Sequence, residues 1–202
     1  MNWDLQPPEN ASLRDNEVSQ TGNALSGKKV CLLICGSIAA YKGPDIIREL
    51  RKEGADVTAV VSSSALDFVT PMALEWTSGN KPVIDLTADA EHLGGDKTYD
   101  LYIVAPASYN TINKFAAGIA DSPVLITLSS ALGLLERKST RIFISPCMHG
   151  SMHNSILTTS MKRLQTLGVT ILKPRQEDGK NKLPEPHELV KSVIQCISTS
   201  CN

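Results

Sequence analysis

The stretch "VAPASYNTINKFAAGIADSPV", from Val104 to Val124, decides the fold because it places the end of a strand directly before a helix. Its first residues close the apolar run "YDLYIVAP" at 99–106, which is typical of a strand buried on both faces of a parallel sheet. Small and hydroxylated residues follow, with one proline and no charge. A helix cap needs one such side chain, whereas Ser108, Asn110 and Thr111 are three, so the stretch predicts contact with a flat ligand that has polar edges.

Strands and helices alternate along the rest of the chain. Short apolar runs predict strands at 28–35, 55–62, 82–87, 99–106, 140–146 and 168–174. Helical patterns fall between them, within 36–54 and at about 109–120, 122–135, 152–167 and 186–198. This alternation predicts a single-domain α/β fold, doubly wound around a mostly parallel sheet with right-handed crossovers. Ligands of such sheets bind outside the carboxyl ends of the strands, so the residues after each strand are the site candidates.

Composition narrows the class of protein. The 202 residues suffice for one domain with a sizeable core, and a net charge of -1 does not favour nucleic acid or an anionic membrane as partner. No apolar run approaches the ~20 residues that span a bilayer. The polar segment 1–27 has no secretory-signal core and is expected to be a flexible arm. The folded domain is expected at 28–198, with a frayed end at 199–202.

The cysteines favour reduced thiols and a cytoplasmic location. Their number is odd, and no CxxC pair or Cys/His spacing indicates zinc. The five are Cys31, Cys35, Cys147, Cys196 and Cys201.

Small polar residues also follow the first two predicted strands. Gly36 lets backbone approach a ligand, and Ser37 before Ile38 offers a hydroxyl and an amide at a helix N-terminus, which suits an anion of phosphate size. A plain Gly-Ser helix cap is the alternative. The serines from Ser62 to Ser64 form a second donor cluster facing the same sheet edge, and an ordinary serine cap is again the alternative.

The segment "SPCMHGSMH" at 145–153 follows the fifth predicted strand. Met148 and Met152, which are adaptable packing residues, bracket His149. His149 and His153 are four residues apart and could share one face of a helix. A zinc site would need a third ligand, which the neighbouring sequence does not supply, so no metal is expected.

His92 stands apart in "DAEHLGG", ahead of the strand whose far end carries the ligand-like stretch. Histidine can take or give a proton near neutral pH, which makes His92 a candidate acid or base. The alternative is an ordinary surface or core histidine.

Several stretches match known motifs in the same order. "GSIAAYK" (36–42) is similar to a first-strand loop, "PASYNT" (106–111) differs by one residue from P-A-S-A-N-T, and "INKFAAGIAD" (112–121) also fits. "PCMHGSMH" (146–153) stands where the pattern P-x-M-N-x-x-M-W is expected, and "GKNKLPEP" (179–186) resembles a tail segment ending in M-x-E-P. Together these stretches, over roughly residues 28–190, resemble the homo-oligomeric flavin-containing cysteine decarboxylases.

The resemblance implies a Rossmann-like flavoprotein with FMN between the subunits of a trimer, sometimes grouped as a dodecamer. It places the catalytic acid/base at His92, which lies fourteen residues before Pro106 as in the family. It implies that Met148, His149 and Met152 contact the substrate. The residues implied for FMN binding are Gly36, Ser37, Ile38, Ser62, Ser64, Phe68, Pro106, Ala107, Ser108, Asn110 and Thr111.

The family chemistry removes the carboxylate of a cysteine. FMN oxidises the side chain to a thioaldehyde, CO2 leaves, and an enethiolate remains. Its members act on phosphopantothenoylcysteine in coenzyme A synthesis or on the C-terminal cysteine of a lantibiotic peptide.

Three departures bear on the substrate. His149 replaces the asparagine thought to help hold the carboxylate, and His153 replaces the final tryptophan. The tail "PRQEDGKNKLPEP" lacks the cysteine that protonates the reduced product in phosphopantothenoylcysteine decarboxylases. We therefore expect an oxidative decarboxylase of a cysteine-ended peptide, which yields an aminoenethiol. Phosphopantothenoylcysteine decarboxylation and a non-catalytic FMN-binding regulatory role are the alternatives.

Overall fold

The computed structural model describes residues 13–92 and 98–199 and shows a central parallel sheet flanked by helices. The strands are β1 (Lys29–Ile34), β2 (Asp56–Val61), β3 (Leu101–Ala107), β4 (Arg141–Pro146), β5 (Met148–His149), β6 (Thr170–Ile171), β7 (Arg175–Glu177) and β8 (Lys180–Lys182). The central sheet has the order β2-β1-β3-β4-β6, and all of its pairs are parallel. A smaller antiparallel sheet has the order β5-β8-β7.

Helices cover both faces of the central sheet. They are α1 (Gly43–Lys52), α2 (Pro71–Ser78), α3 (Tyr109–Ala116), α4 (Pro123–Glu136), α5 (Ser155–Thr166) and α6 (Pro186–Thr199). Short 3-10 segments are Ile38–Lys42, Ser63–Ala65 and Gly150–Met152. In the described part of the chain, no helix is both long and apolar enough to cross a bilayer.

The alternation of side chains along β1 divides the interior into two cores. Leu32 and Ile34 pack into one core with residues of α1 and α6, whereas Cys31, Leu33 and Cys35 pack into the other with residues of α3, α4 and α5. All five of these side chains are fully buried. A strand buried on both faces reads as a continuous apolar run, so the predicted doubly wound α/β fold is confirmed.

The predicted strand at 82–87 is wrong except at one position. Val83 alone forms a parallel bridge to Val60 and exchanges backbone hydrogen bonds of 2.9 and 2.8 Å with Val61 and Ala59. Pro82 has no N–H to extend the ladder, and the backbone bends directly after Val83. The last predicted strand, 168–174, is likewise reduced to Thr170–Ile171.

The predicted helix at 152–167 begins three residues later than expected. The Asn154 side chain accepts a hydrogen bond of 3.2 Å from the Leu157 N–H and so caps α5. His149 lies in β5 and His153 follows a 3-10 turn. The two histidines therefore do not share a helical face.

Part of the segment expected to be a flexible arm is packed against the domain. Leu25 is buried, and its N–H donates to the Glu53 carbonyl at the end of α1. The amides of Thr21 and Gly22 donate to the Lys52 carbonyl at 2.9 and 3.0 Å. Packing thus begins before the expected boundary at residue 28. The rest of the expected arm, 1–12, and the end 200–202 lie outside the described residues.

Candidate functional site

The carboxyl ends of neighbouring strands meet through backbone hydrogen bonds. At the end of β1, the Cys35 N–H donates to the Pro106 carbonyl of β3 at 3.3 Å. At the end of β4, the Cys147 N–H donates to the Ala107 carbonyl at 3.0 Å. Pro106 and Ala107 are buried at this junction. The sheet therefore gathers the predicted strand-end residues at one edge, where a doubly wound fold binds its ligand.

The loops after β1 and β2 touch at Gly36. A Cβ atom at this position would lie 2.5 Å from the Ser64 Cβ, so only glycine fits the approach. Ser37 then caps the following 3-10 helix by accepting a hydrogen bond of 3.4 Å from the Ala39 N–H. Ile38 is 69% exposed at the start of that helix.

The loop after β3 presents one buried and one exposed polar residue. Ser108 caps α3 by accepting a hydrogen bond from the Thr111 N–H at 3.3 Å, and the two hydroxyl oxygens lie 3.1 Å apart. Thr111 is buried, whereas Asn110 is exposed and free to meet a ligand. Burial raises the pKa of the neighbouring Cys35 thiol to about 11, despite hydrogen bonds from Thr111 and Ser108. Cys35 is therefore a neutral packing residue and not a nucleophile.

These loops fit the phosphate and polar edge of FMN. The Ser62 hydroxyl is buried and has no hydrogen-bond partner among the described residues, a state that costs about 1–3 kcal/mol unless a ligand satisfies it. Ser64 and Ser37 lie on the two loops that meet at Gly36. Phe68, which is 42% exposed, offers a ring surface just beyond the second loop.

A cavity of about 560 Å³ lies between the loop after β1 and the small antiparallel sheet. Its volume is within the usual range for a small-molecule site. The predicted residues in its wall are Ser37, Ile38, Met148 and His149. Cys147 also lines it, with its Sγ atom 3.5 Å from the Ser37 Oγ atom. Met152 is not in this wall and is 42% exposed on its 3-10 turn.

His149 and His153 have separate structural partners. The His149 Nδ1 atom accepts a hydrogen bond of 3.2 Å from the Ser151 N–H, so a neutral His149 ring carries its proton on Nε2. The His153 Nδ1 atom lies 2.9 Å from the Nδ2 atom of Asn181, a buried residue of β8. Across the described residues, no group of three or more His, Cys, Asp or Glu side chains could hold a metal ion.

Among the described residues, His92 forms no hydrogen bond or ion pair with the strand-end loops. It is half-buried, and its Nδ1 atom is buried without a hydrogen-bond partner. The predicted catalytic role of His92 therefore stays a prediction.

The β7–β8 hairpin, which forms the far side of the cavity, was not predicted from the sequence. Asp178 and Gly179 connect its strands with φ of 52° and 67°. Two successive residues with positive φ are the mark of a tight hairpin turn, and the Asp-Gly pair between charged residues was the available signal. A Cβ atom at Gly150 would lie 1.9 Å from the Gly179 carbonyl oxygen, so the hairpin tip rests directly on the 3-10 turn.

Ion pairs anchor the hairpin to the loop after β1. The Lys42 Nζ atom lies 2.9 Å from both carboxylate oxygens of Glu185, and Arg175 reaches the same carboxylate at 2.8 Å. The hydrogen bond from Lys42, together with the charges of Lys42 and Arg175, lowers the pKa of Glu185. The carboxylate of Glu185 is thus shared between the hairpin and the loop that is expected to bind FMN.

Comparison with known proteins identifies the family. The model of the family described as Flavoprotein matches residues 18–198. The bifunctional coenzyme A biosynthesis protein CoaBC of Thermococcus kodakarensis is 40% identical over 85% of this chain. The match covers 42% of that protein, so the chain spans about two fifths of its relative's length.

Solved structures agree with the fold. The FMN-binding protein AtHal3 superposes with a TM-score of 0.67 at 25% identity, covering 86% of this chain and 97% of its own. The peptidyl-cysteine decarboxylase EpiD has a TM-score of 0.68 at 23% identity, and the match covers 82% of this chain and 98% of EpiD. At this identity the similarity supports the fold alone. The predictions of a Rossmann-like flavoprotein fold and of FMN as cofactor are confirmed.

Proposed function

The chain belongs to the flavoprotein family that includes the flavin-containing cysteine decarboxylases, and we propose that it is an FMN-dependent decarboxylase of a cysteine-derived carboxylate. The observation that carries the proposal is that the expected cofactor site is continuous with the cavity. The loop that carries Ser37 faces the expected cofactor position and also lines the cavity that holds Met148 and His149. A thiol-bearing substrate in that cavity would lie beside the flavin.

In this proposal the strand-end loops bind the cofactor. Ser37, Ser62 and Ser64 hold the phosphate, and Asn110 with Thr111 meets the polar edge of the ring. The buried, unsatisfied hydroxyl of Ser62 supports this assignment. When bound, FMN supplies the two-electron acceptor for oxidation of the carbon that carries the thiol.

His149 and His92 handle the substrate in this proposal. Because the Nδ1 atom of His149 accepts the Ser151 amide, its Nε2–H is available to donate to the substrate carboxylate. His92 takes and returns protons at the reacting carbon and sulfur. Its buried Nδ1 atom without a partner supports a site that a ligand or a second subunit completes.

An assembly of several copies is part of the proposal. Met72 and Trp76 of α2 are 79% and 53% exposed, and Phe68 precedes them at 42%. Adjacent exposed apolar side chains of this size are typical of a protein interface. We propose that a second copy covers them, in a trimer or a dodecamer with FMN between subunits, in the cytoplasm.

Two substrates are candidates. Phosphopantothenoylcysteine is favoured by the 40% identity to a coenzyme A biosynthesis protein. A cysteine-ended peptide is favoured by the hairpin, which carries no cysteine from Arg175 to Lys182 to protonate a reduced product. Cys147 is the described cysteine that lines the cavity, and it would have to serve as that donor in the first case.

The test is CO2 release from each candidate by the FMN-loaded protein. Release from either substrate supports the proposal, and the product mass separates a thiol from an enethiol, which has a pair of hydrogens fewer. A protein that binds FMN but releases CO2 from neither substrate contradicts it and favours the non-catalytic regulatory role.

His92→Asn sharpens this test. We expect the variant to retain FMN and to lose at least about 100-fold in CO2 release, the usual contribution of a positioned acid or base. His187→Asn, at an exposed histidine near the start of α6, is the matched control and should keep full activity. Equal loss in both variants, or unchanged turnover in His92→Asn, would remove His92 from the reaction.

A further inference from the structure

The residues proposed to hold the substrate lie on one short stretch of chain, 147–154, which we call the substrate segment. It runs from the end of β4 to the residue that caps α5. Met148 and His149 of this segment line the cavity. Its middle is paired with β8, where Met148 lies opposite Asn181. The way its two ends are held decides where these side chains lie relative to the strand-end loops.

The loop after β3 holds the first end of the substrate segment. The Cys147 N–H donates a hydrogen bond of 3.0 Å to the Ala107 carbonyl. Ala107 directly precedes Ser108, whose hydroxyl caps α3 and which is expected to meet FMN. The start of the segment is therefore fixed to the same loop that is expected to bind the cofactor.

The same loop reaches the other end of the substrate segment through the side chain of Tyr109. The Tyr109 Oη atom donates a hydrogen bond of 3.4 Å to the Oδ1 atom of Asn154. Tyr109 is the first residue of α3 and lies between Ser108 and Asn110 in the chain. Two residues of one loop, Ala107 and Tyr109, thus contact both ends of the substrate segment.

Asn154 suits this contact because its side-chain oxygen accepts two hydrogen bonds. The Leu157 N–H donates to the same Oδ1 atom at 3.2 Å and so caps α5. An amide oxygen has two lone pairs, which the cap and the Tyr109 hydroxyl use together. Tyr109 is therefore coupled to the point where the substrate segment ends and α5 begins.

Packing and a backbone contact hold Tyr109 in this orientation. Its ring is half-buried and packs against the core cluster that contains Ile112, Phe115 and Leu157. The Asn113 Nδ2 atom, one turn further along α3, donates to the Tyr109 carbonyl at 2.9 Å. A side chain whose rotamer is fixed by packing can hold a neighbouring segment in a defined position.

We infer that Tyr109 is a positioning residue for the proposed decarboxylation, because its hydroxyl holds the far end of the substrate segment against the loop that is expected to bind FMN. The inference rests on the proposed function, since it takes Met148 and His149 as residues that hold the substrate. Tyr109 acts through Asn154 and does not itself have to touch substrate or cofactor. A misplacement of about 1 Å between reacting groups can cost about 100-fold in rate, so such a link matters for catalysis.

The test is Tyr109→Phe, which removes the hydroxyl and keeps the ring, in the FMN-loaded protein with the candidate substrate that releases CO2. We expect normal flavin content, a kcat about tenfold lower and a KM within about twofold of the parent, because the substrate contacts remain while their position relative to the cofactor changes. Hydrogen exchange should become faster at the amides of residues 148–154 and stay unchanged in α6.

Two further variants serve as controls. Tyr102→Phe removes a tyrosine hydroxyl from the same core near the other end of β3, and it should change neither kcat nor the exchange of the substrate segment. Asn154→Asp keeps the cap of α5 and an acceptor for the Tyr109 hydroxyl, so it should behave like the parent. Tyr109→Phe combined with Asn154→Asp should behave like Tyr109→Phe alone.

The outcomes separate this inference from the proposed function. A protein that releases CO2 from neither candidate substrate contradicts the proposed function, whereas faster exchange at 148–154 in Tyr109→Phe still supports the anchor at Asn154. Unchanged exchange in that variant overturns the inference even if CO2 is released. A loss of kcat that Tyr102→Phe shares, or a loss of stability in Tyr109→Phe with kcat unaltered, also overturns it.

Discussion

The strand-end loops and the β7–β8 hairpin lie on opposite sides of one cavity, and different forces hold them. The loops continue from fully buried strands and are tied by backbone hydrogen bonds such as that from Cys35 to Pro106. The hairpin is exposed, and ion pairs to Glu185 anchor it. Core packing therefore fixes the strand-end loops, which are expected to bind FMN. Ion pairs at the surface position the β7–β8 hairpin, which is expected to select the substrate.

Gly36→Ala should give the largest effect on the loop side. The new methyl group would meet the Ser64 side chain and backbone, at 2.5 and 3.3 Å, on two loops whose neighbouring residues Cys35 and Ala65 are fully buried. We expect a loss of about 1–3 kcal/mol in the free energy of unfolding, as for other overpacked sites, and a protein without flavin. Urea denaturation and the flavin absorbance of the purified protein measure the two effects.

Gly133→Ala is the control for that prediction. Nothing lies within 4 Å of a Cβ at Gly133, in the middle of α4. Alanine is the better helix former by about 1 kcal/mol, so this variant should be as stable as the parent or more stable, with full flavin. If Gly36→Ala behaves like Gly133→Ala, the close approach of the first two loops does not hold the cofactor.

Gly150→Ala should give a different effect, on the hairpin side. The methyl group would overlap the Gly179 backbone carbonyl oxygen, and β8 pairs with β5 at Met148 and His149 directly before Gly150, so the hairpin must distort to make room. We expect a loss of about 1–3 kcal/mol in unfolding free energy, normal flavin content and weaker binding of a substrate in the cavity. Loss of flavin in this variant would contradict the separation of the two sides.

The same contrast explains what the sequence could predict. Residues such as Ser108 and Thr111 follow a long apolar strand, and a buried parallel sheet leaves one place for the end of that strand. The hairpin depends on ion pairs such as Lys42 to Glu185, which join residues 143 positions apart. No local pattern encodes such a contact, although the Asp178-Gly179 turn itself was readable.

The four-residue spacing of His149 and His153 shows a second limit of sequence reasoning. A spacing of four residues fits a helical face, but the Asn154 cap starts α5 after both histidines. The His149 ring is then bonded to Ser151 of the 3-10 turn, and the His153 ring is bonded to Asn181 of β8. Competition between a cap and a periodic pattern is decided by tertiary contacts, which is why the pattern alone gave the wrong face.

The smallest expected effect is the acid dependence of the hairpin anchor. The pKa of Glu185 in the folded protein is below its ordinary value of 4.5, chiefly because Lys42 donates a hydrogen bond to it. A lowered pKa contributes stability above the unfolded value, and this contribution is lost as the pH falls through the folded value. The contribution of this ion pair to stability is therefore constant near neutral pH. It decreases only in acid, at pH values below 4.5.

Glu185→Gln keeps the size of the side chain and removes its charge, so it should mimic the acid state at neutral pH. We expect faster cleavage of the hairpin after Lys180 and Lys182 by trypsin, with unchanged flavin content. The change in stability should be the fraction of a kcal/mol typical of exposed ion pairs. Glu136→Gln, at the exposed end of α4, is the matched control and should leave the cleavage rate unchanged. Equal cleavage rates in Glu185→Gln and the parent would show that the buried Asn181, and not the ion pairs, holds the hairpin in place.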